Sequence, residues 1–390
     1  MAGITPIASQ REKRIALFTG AFNHVVDGVS LTLNRLVSHL ESEGTPVHVF
    51  APTVENPPIK HSGVLTGVPS IKMPGRPEYR ISVGMNPAAV EELDRFKPTI
   101  VHIATPDLVG LQALLYARVQ KIPVVASYHT HFSSYLGFYD LDRFEAAMWR
   151  YLRWFYARCE HLYVPSLSMV SVLKEHGIQK GIELWPRGVD IVAFSPEKRS
   201  MEWRRELGFT DDMVVIAYIS RLVIEKGLDV FADVVRRLLD DGLNVRSLIV
   251  GEGPAGAMLK EKLPEAVFLG HLQGDELSVA YASSDLFLFP SETETFGNVT
   301  LEAMASGVPT LCADATGSNS LVLHDRTGFL SKGRDIKSFA HYAKSLTLDT
   351  SRRLQMGSAA RAEAETYSWR RILGKIDSFY DQILQLPERD

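Results

Sequence analysis

Short runs of β-branched and aromatic residues alternate with longer amphipathic stretches through almost the whole chain, and this rhythm constrains the fold more than any other feature. In the first half, the runs at 14–20, 47–51, 100–104, 124–128 and 162–165 predict strands, with helical patterns such as 30–43 and 108–120 between them. The second half repeats the rhythm, with strands at 214–220, 246–251, 267–270, 286–290 and 310–313 and helices including 227–240, 276–282 and 299–305. Short strands separated by helices require parallel sheets covered on both faces. Two such series predict an α/β protein of two doubly wound, Rossmann-like domains. A length of 390 residues with 45% hydrophobic content is long for one such domain and comfortable for two.

The rhythm breaks around residues 189–200, where Asp190, Pro196 and the charged Glu197-Lys198-Arg199 intervene. We therefore expect domains at 1–190 and 191–366. The tail, 367–390, carries Trp369, Ile372, Ile376, Phe379, Tyr380 and Ile383 at helical spacing and is expected to pack back on the N-terminal domain. A formal net charge of -4 gives no basic excess, so nucleic acid is not an expected partner. Two cysteines, Cys159 and Cys312, make no disulfide framework and fit a reducing cytoplasm. The apolar run at 15–22 is too short to span a bilayer and lacks a signal-peptide cleavage pattern. The expectation is a soluble cytoplasmic chain, at most peripheral to the cytoplasmic face of a membrane.

In open parallel sheets ligands bind beyond the carboxyl ends of the strands, here also in the cleft between two facing domains. The segment Pro290 to Gly307, PSETETFGNVTLEAMASG, is the most informative of these loops. Gly297 or Asn298 can cap a helix there, and the backbone N–H groups at its start suit a diphosphate. Glu294 stays in the loop while Glu302 lies about one turn into the helix, so two carboxylates flank the phosphate site and can accept bonds from sugar hydroxyls. The plainer alternative is an acidic helix start that only favours the dipole.

Three other strand-end loops carry chemistry. In 220–227, Arg221 and Lys226 could neutralise a diphosphate and stabilise it as a leaving group, or simply be solvated charges. In 23–30, Gly28 lets backbone approach a phosphate, or is an ordinary turn glycine. In 127–132, His129 and His131 stand two apart, with no Cys or carboxylate spaced to complete a metal site. Two patterns mislead. Gly251-Glu252-Gly253-Pro254-Ala255-Gly256 satisfies G-x-G-x-x-G after a strand, but the next strand ends in His271 and Leu272 instead of the ribose-binding acid of an NAD site. Asp140-Leu141-Asp142 mimics the D-x-D of metal-dependent transferases but follows an aromatic loop, and reads as a cap or surface turn.

These loops together resemble the GT-B, family-4 retaining glycosyltransferases, and the likeness covers nearly the entire chain. It includes Ile103–Asp107, Leu184–Asp190 and Tyr281–Asp285, and points to the branch of sulfoquinovosyltransferases and GDP-mannose-dependent α-mannosyltransferases. The resemblance implies that Glu294 binds donor-sugar hydroxyls, Glu302 the ribose, and the backbone of Phe296, Gly297, Asn298 and Val299 the diphosphate. It assigns Arg221 and Lys226 to the diphosphate, His129 to the reacting centre, Gly28 to the first strand–helix loop and Gly251 to a turn near the nucleotide base. Asp107 is an acceptor-side candidate, and His131 either contacts the acceptor or merely packs. Asp27 stands where the family often has a glycine. The implied activity is transfer of a hexose-type sugar from a UDP- or GDP-sugar to a hydroxyl of a lipid, lipid-linked or glycan acceptor, forming an α-linkage with no metal and no cofactor. Trp149 to Arg158 combines aromatics with arginines on a predicted helix, a composition that suits either an anionic membrane surface or a core face rimmed by arginines. A nucleotide-sugar epimerase on the same scaffold and a non-catalytic nucleotide-sugar-binding protein are the competing readings.

Overall fold

The strand runs are buried end to end, which explains why their sequences show no alternation. β1 (Ile15–Phe18), β2 (Val47–Ala51), β6 (Ile100–Ile103) and β7 (Val124–Ser127) have every residue buried, the pattern of a parallel sheet with helices on both faces. The computed structural model describes residues 12–73, 76–128, 145–294 and 296–385. His129, His131 and the Asp140–Asp142 turn lie outside the described residues. The chain divides into two units, one running to Trp185 and resuming from Leu373, the other Pro186–Ile372.

Among the described residues of the first unit, β1, β2, β6 and β7 join β3 (Val64–Gly67), β8 (His161–Val164) and β9 (Ile182–Leu184) in a sheet of order β3-β2-β1-β6-β7-β8-β9. All its pairings are parallel. An antiparallel hairpin of β4 (Ser70–Met73) and β5 (Arg76–Ser82) stands beside it. The helices are α1 (Gly28–Ser42), α2 (Pro87–Phe96), α3 (Leu108–Val119), α4 (Glu145–Tyr156) and α5 (Leu167–Glu175). Short polar side chains start several of them: Asp27, Asn86, Asp107 and Ser166 each accept a bond from a backbone N–H of the first turn.

The second unit has the order β12-β11-β10-β13-β14-β15, again parallel throughout. Its strands are β10 (Val214–Ile219), β11 (Val245–Val250), β12 (Val267–Phe268), β13 (Leu286–Phe289), β14 (Thr310–Ala313) and β15 (Gly328–Ser331). Its helices are α6 (Met201–Glu206), α7 (Leu228–Asp240), α8 (Gly256–Lys262), α9 (Gly274–Ala282), α10 (Asn298–Ala305), α11 (Ile336–Leu348) and α12 (Thr350–Glu365). In the run at 267–270 only Val267 and Phe268 form regular strand, yet Leu269 N still donates to Ile249 O at 3.0 Å and Gly270 O accepts from Gly251 N at 2.6 Å. Arg204 of α6 is 1% exposed, and its guanidinium reaches Asp285 Oδ2, Ser283 O and Met213 O, each at 2.8 Å. Asp285 Oδ2 also accepts from Val215 N at 2.8 Å, so this buried charge is neutralised where β10 and β13 begin.

The last helix, α13 (Trp369–Gln385), crosses from the second unit into the first. Its residues from Leu373 onward are pinned within the first unit by three polar contacts. Lys13 Nζ donates to Asp377 at 2.6 Å and to Asp381 at 2.7 Å. Deeper in, fully buried His102 of β6 hydrogen-bonds through Nδ1 to Tyr380 Oη at 2.7 Å and through Nε2 to Ser127 Oγ at 3.1 Å.

Burial lowers the His102 pKa to about 3, far below its ordinary value. The unfolded chain therefore binds this proton more readily. The stabilisation is complete above about pH 6.5 and falls away as pH drops towards 3, with a slope approaching ~1.4 kcal/mol per pH unit from this group. Urea titrations from pH 7 down to 4.5 should show that slope diminished in the His102→Gln protein; an unchanged acid profile would show that His102 is not the buried group that titrates.

Candidate donor site

In the second unit the strand order reverses between β10 and β13, and a doubly wound sheet opens its ligand crevice at such a switch point. The loops leaving these two strands are 220–227 and 290–297, the ones that carry Arg221, Lys226 and Glu294. The site's location thus follows from topology as well as from residue type.

Three loops are pressed together here with backbone against backbone. Gly251 follows β11 at φ 130°, and a Cβ on it would lie 1.9 Å from the Ser220 carbonyl oxygen. Gly227, at φ 76°, brings the start of α7 against the end of β13: a Cβ there would lie 2.5 Å from Pro290 O. L-residues avoid both conformations, and neither space holds a side chain. Hydrogen bonds close the same seam, from Leu222 N to Glu252 O and from Ala255 N to Leu222 O, both 2.9 Å.

The charged groups meet across this seam. Lys226 ends a single 3-10 turn, Ile224–Lys226. Its Nζ forms an ion pair with Glu294 Oε1 at 2.6 Å and donates to Thr293 Oγ1 at 3.3 Å. The lysine and glutamate side chains are 12% and 17% exposed, so the pair is shielded but within reach of a ligand. Arg221 lies exposed on the same loop. Next along the chain, Gly297 caps α10 in the left-handed conformation. The Phe296 ring is buried and packs on Tyr367, whereas Asn298 is exposed and Val299 partly so. What Phe296 can offer a ligand is therefore backbone. Glu302, in the second turn of α10, accepts from Tyr281 Oη on Oε2 at 3.0 Å. Glu292 departs from this group, since its carboxylate lies against the backbone of Gly333.

The second unit thus gathers Arg221, Lys226, Gly251, Glu294, Phe296–Val299 and Glu302 at the carboxyl ends of β10, β11 and β13. In the first unit, Gly28 is exposed as the first residue of α1, directly after its cap Asp27. Asp107 caps α3, accepting from Gly110 N at 3.0 Å and from Ser82 Oγ at 2.9 Å, and burial raises its pKa. The hydrogen bond from Gly20 N to Thr105 Oγ1, 2.8 Å, joins the loops after β1 and β6, which flank that sheet's own switch point. Nothing in the sequence singles out Thr293, or shows which groups Gly227 and Tyr281 meet. Tyr281 had a visible signal, since it opens the Tyr281–Asp285 segment before β13, but its partner is 21 residues away.

Two doubly wound parallel sheets of this kind fit the two-domain GT-B architecture of glycosyltransferases. Residues 26–192 match the Glycosyltransferase Family 4 description, and 200–363 match Glycosyl transferases group 1. The chain is 33% identical to a sulfoquinovosyl transferase of Arabidopsis thaliana, over 96% of this chain and 74% of the relative. It is 31% identical to a GDP-mannose-dependent alpha-mannosyltransferase of Corynebacterium glutamicum, over 97% of this chain and 91% of the relative. The crystal structure of Anabaena HepE in complex with UDP superposes with a TM-score of 0.71 at 19% identity, covering 95% of this chain and all (100%) of that one. The chain belongs to the GT-B family-4 glycosyltransferases.

The glycine seam makes a direct prediction. Gly251→Ala should destabilise the protein by about 3 kcal/mol or more, because a strained φ and a backbone clash add. Urea denaturation measures it; a change within about 0.5 kcal/mol would mean that the loops can separate without cost.

Proposed function

We propose that this glycosyltransferase moves a hexose-type sugar from a UDP- or GDP-sugar to a hydroxyl of a lipid or lipid-linked acceptor, with retention at the anomeric carbon and without a metal. The observation that carries the reading is the Lys226–Glu294 pair at the β10/β13 switch point, 2.6 Å apart, beside the start of α10. An incoming diphosphate offers Lys226 and Arg221 more negative charge than one carboxylate does. Lys226 turns to the phosphates, and Glu294 becomes an acceptor for sugar hydroxyls.

In the reaction, the bond from C1 to the β-phosphate oxygen breaks and its electron pair stays on that oxygen. Arg221, Lys226 and the N–H groups at the α10 start stabilise the developing charge, the service a metal gives in other transferases. The acceptor oxygen attacks C1 from the same face, and its proton passes to the departing phosphate oxygen. No separate base is required. The names of the two relatives, one a sulfoquinovosyl and one a mannosyl transferase, support a hexose-type donor.

The acceptor reading leans on α4. Trp149, Leu152, Phe155 and Tyr156 are buried, so most of its aromatics serve the core. Arg150, Arg153 and Trp154 face outward, and the Arg158 guanidinium lies 4.2 Å from the Trp154 ring centroid. An exposed tryptophan among arginines suits an anionic lipid surface, and no helix among the described residues is long and apolar enough to cross a membrane.

A thermal-shift screen of UDP, GDP and their sugars identifies the donor, and turnover with that donor tests the chemistry. Glu294→Gln, Lys226→Ala and His129→Ala should each lower kcat/KM by on the order of a hundredfold or more. Three variants that turn over like the parent enzyme would overturn the assignment.

A further inference from the structure

α10 does not by itself fix the carboxylate of Glu302. A glutamate one turn into a helix keeps three side-chain torsions, and a group that must meet a ligand in one geometry gains from being ordered beforehand. Tyr281 on α9 is one partner that supplies that order. Its hydroxyl donates to Glu302 Oε2 at 3.0 Å, and the residue is 1% exposed. The ring is held on two sides, by Phe194 edge-on at a centroid distance of 5.6 Å and by Phe287 at 5.9 Å. Burial first, and the neighbouring Glu302 second, push the phenol pKa well above its ordinary value, so the oxygen keeps its proton and remains a donor.

The support for this bond is itself anchored. Arg361 of α12 donates to Phe194 O at 2.7 Å and to Ile191 O at 3.0 Å, which fixes the segment that carries Phe194. The same guanidinium donates to Ala305 O at 2.6 Å, the carbonyl of the last residue of α10. One arginine therefore ties down both the end of the helix that carries Glu302 and the stretch that wedges Tyr281. Four side chains from separate parts of the second unit converge on the aim of one carboxylate.

We propose that Tyr281 is a positioning residue for the donor's ribose: it locks the Glu302 carboxylate in the orientation that receives ribose hydroxyls, and thereby sets the preference for ribonucleotide over deoxyribonucleotide donors. The proposal rests on the reading of Glu302 as the ribose ligand. Tyr281 itself touches no part of the donor; its effect passes entirely through the carboxylate. This separates it from a residue that merely packs, whose loss would weaken ribo- and deoxyribonucleotides alike.

The test compares binding of UDP and GDP with that of their 2′-deoxy and 3′-deoxy forms by calorimetry, in the parent, Tyr281→Phe, Glu302→Gln and double-variant proteins, with thermal unfolding as a control on the fold. A hydrogen bond to a charged group is lost when a ribose hydroxyl is absent, so the parent should prefer the ribonucleotide by on the order of tenfold or more. Tyr281→Phe should cut that preference to about twofold or threefold while its unfolding temperature and its affinity for the deoxy forms stay near those of the parent. The double variant should lose no more than Glu302→Gln alone, because the two act as one unit. A parent-like ribose preference in Tyr281→Phe overturns the positioning role, as does an additive loss in the double variant. A parent-like preference in Glu302→Gln overturns the ribose reading itself, and the proposal with it.

Discussion

The candidate donor site depends on backbone lying directly on backbone where β10, β11 and β13 end. Parallel strands stand about 4.8 Å apart, and the loops that leave them diverge unless something draws them together. Here Gly251 against Ser220 O and Gly227 against Pro290 O do so, with Leu222 stitched between Glu252 and Ala255. That closeness brings Lys226 within 2.6 Å of Glu294, 68 residues further along the chain. Side chains at these two glycines would push the cation and the carboxylate apart before any charge was altered.

The electrostatics follow from this geometry. A lysine and a glutamate left apart in a part-buried crevice would each bear a desolvation cost, and pairing offsets it. At 12% and 17% exposure the pair is shielded yet still open to an incoming ligand. In the proposed reaction that is an asset. A pair buried more deeply would resist the diphosphate, while a fully exposed one would give the lysine no defined position.

Much of this was legible in the sequence, for a physical reason. Strands buried on both faces leave continuous apolar runs, and β1, β2, β6, β10 and β13 could be read from theirs. The segment from Glu294 to Glu302 was legible because loop, helix start and both carboxylates are contiguous. Less visible were elements whose burial is partial or small. The hairpin strand β4 exposes Ile71 and Lys72. α12 turns Met356, Gly357, Ala360 and Ala364 inward, and a face of small residues gives almost no hydrophobic periodicity. For Tyr281 and Gly227 the residues stood in recognisable segments, but their partners, Glu302 and Pro290, are met only through folding.

The crossing of α13 back to the first unit also affects how the chain is made. A ribosome delivers β6, with His102, long before it delivers Tyr380, and the two are separated by 278 positions. During that interval the second unit, whose Pro186–Ile372 span is continuous, can complete its own sheet. The first unit, by contrast, completes the hydrogen bonding of His102 only with Tyr380, a contact of high sequence separation of the kind that slows folding. The first unit is thus built from two stretches of chain far apart in sequence, the second from one.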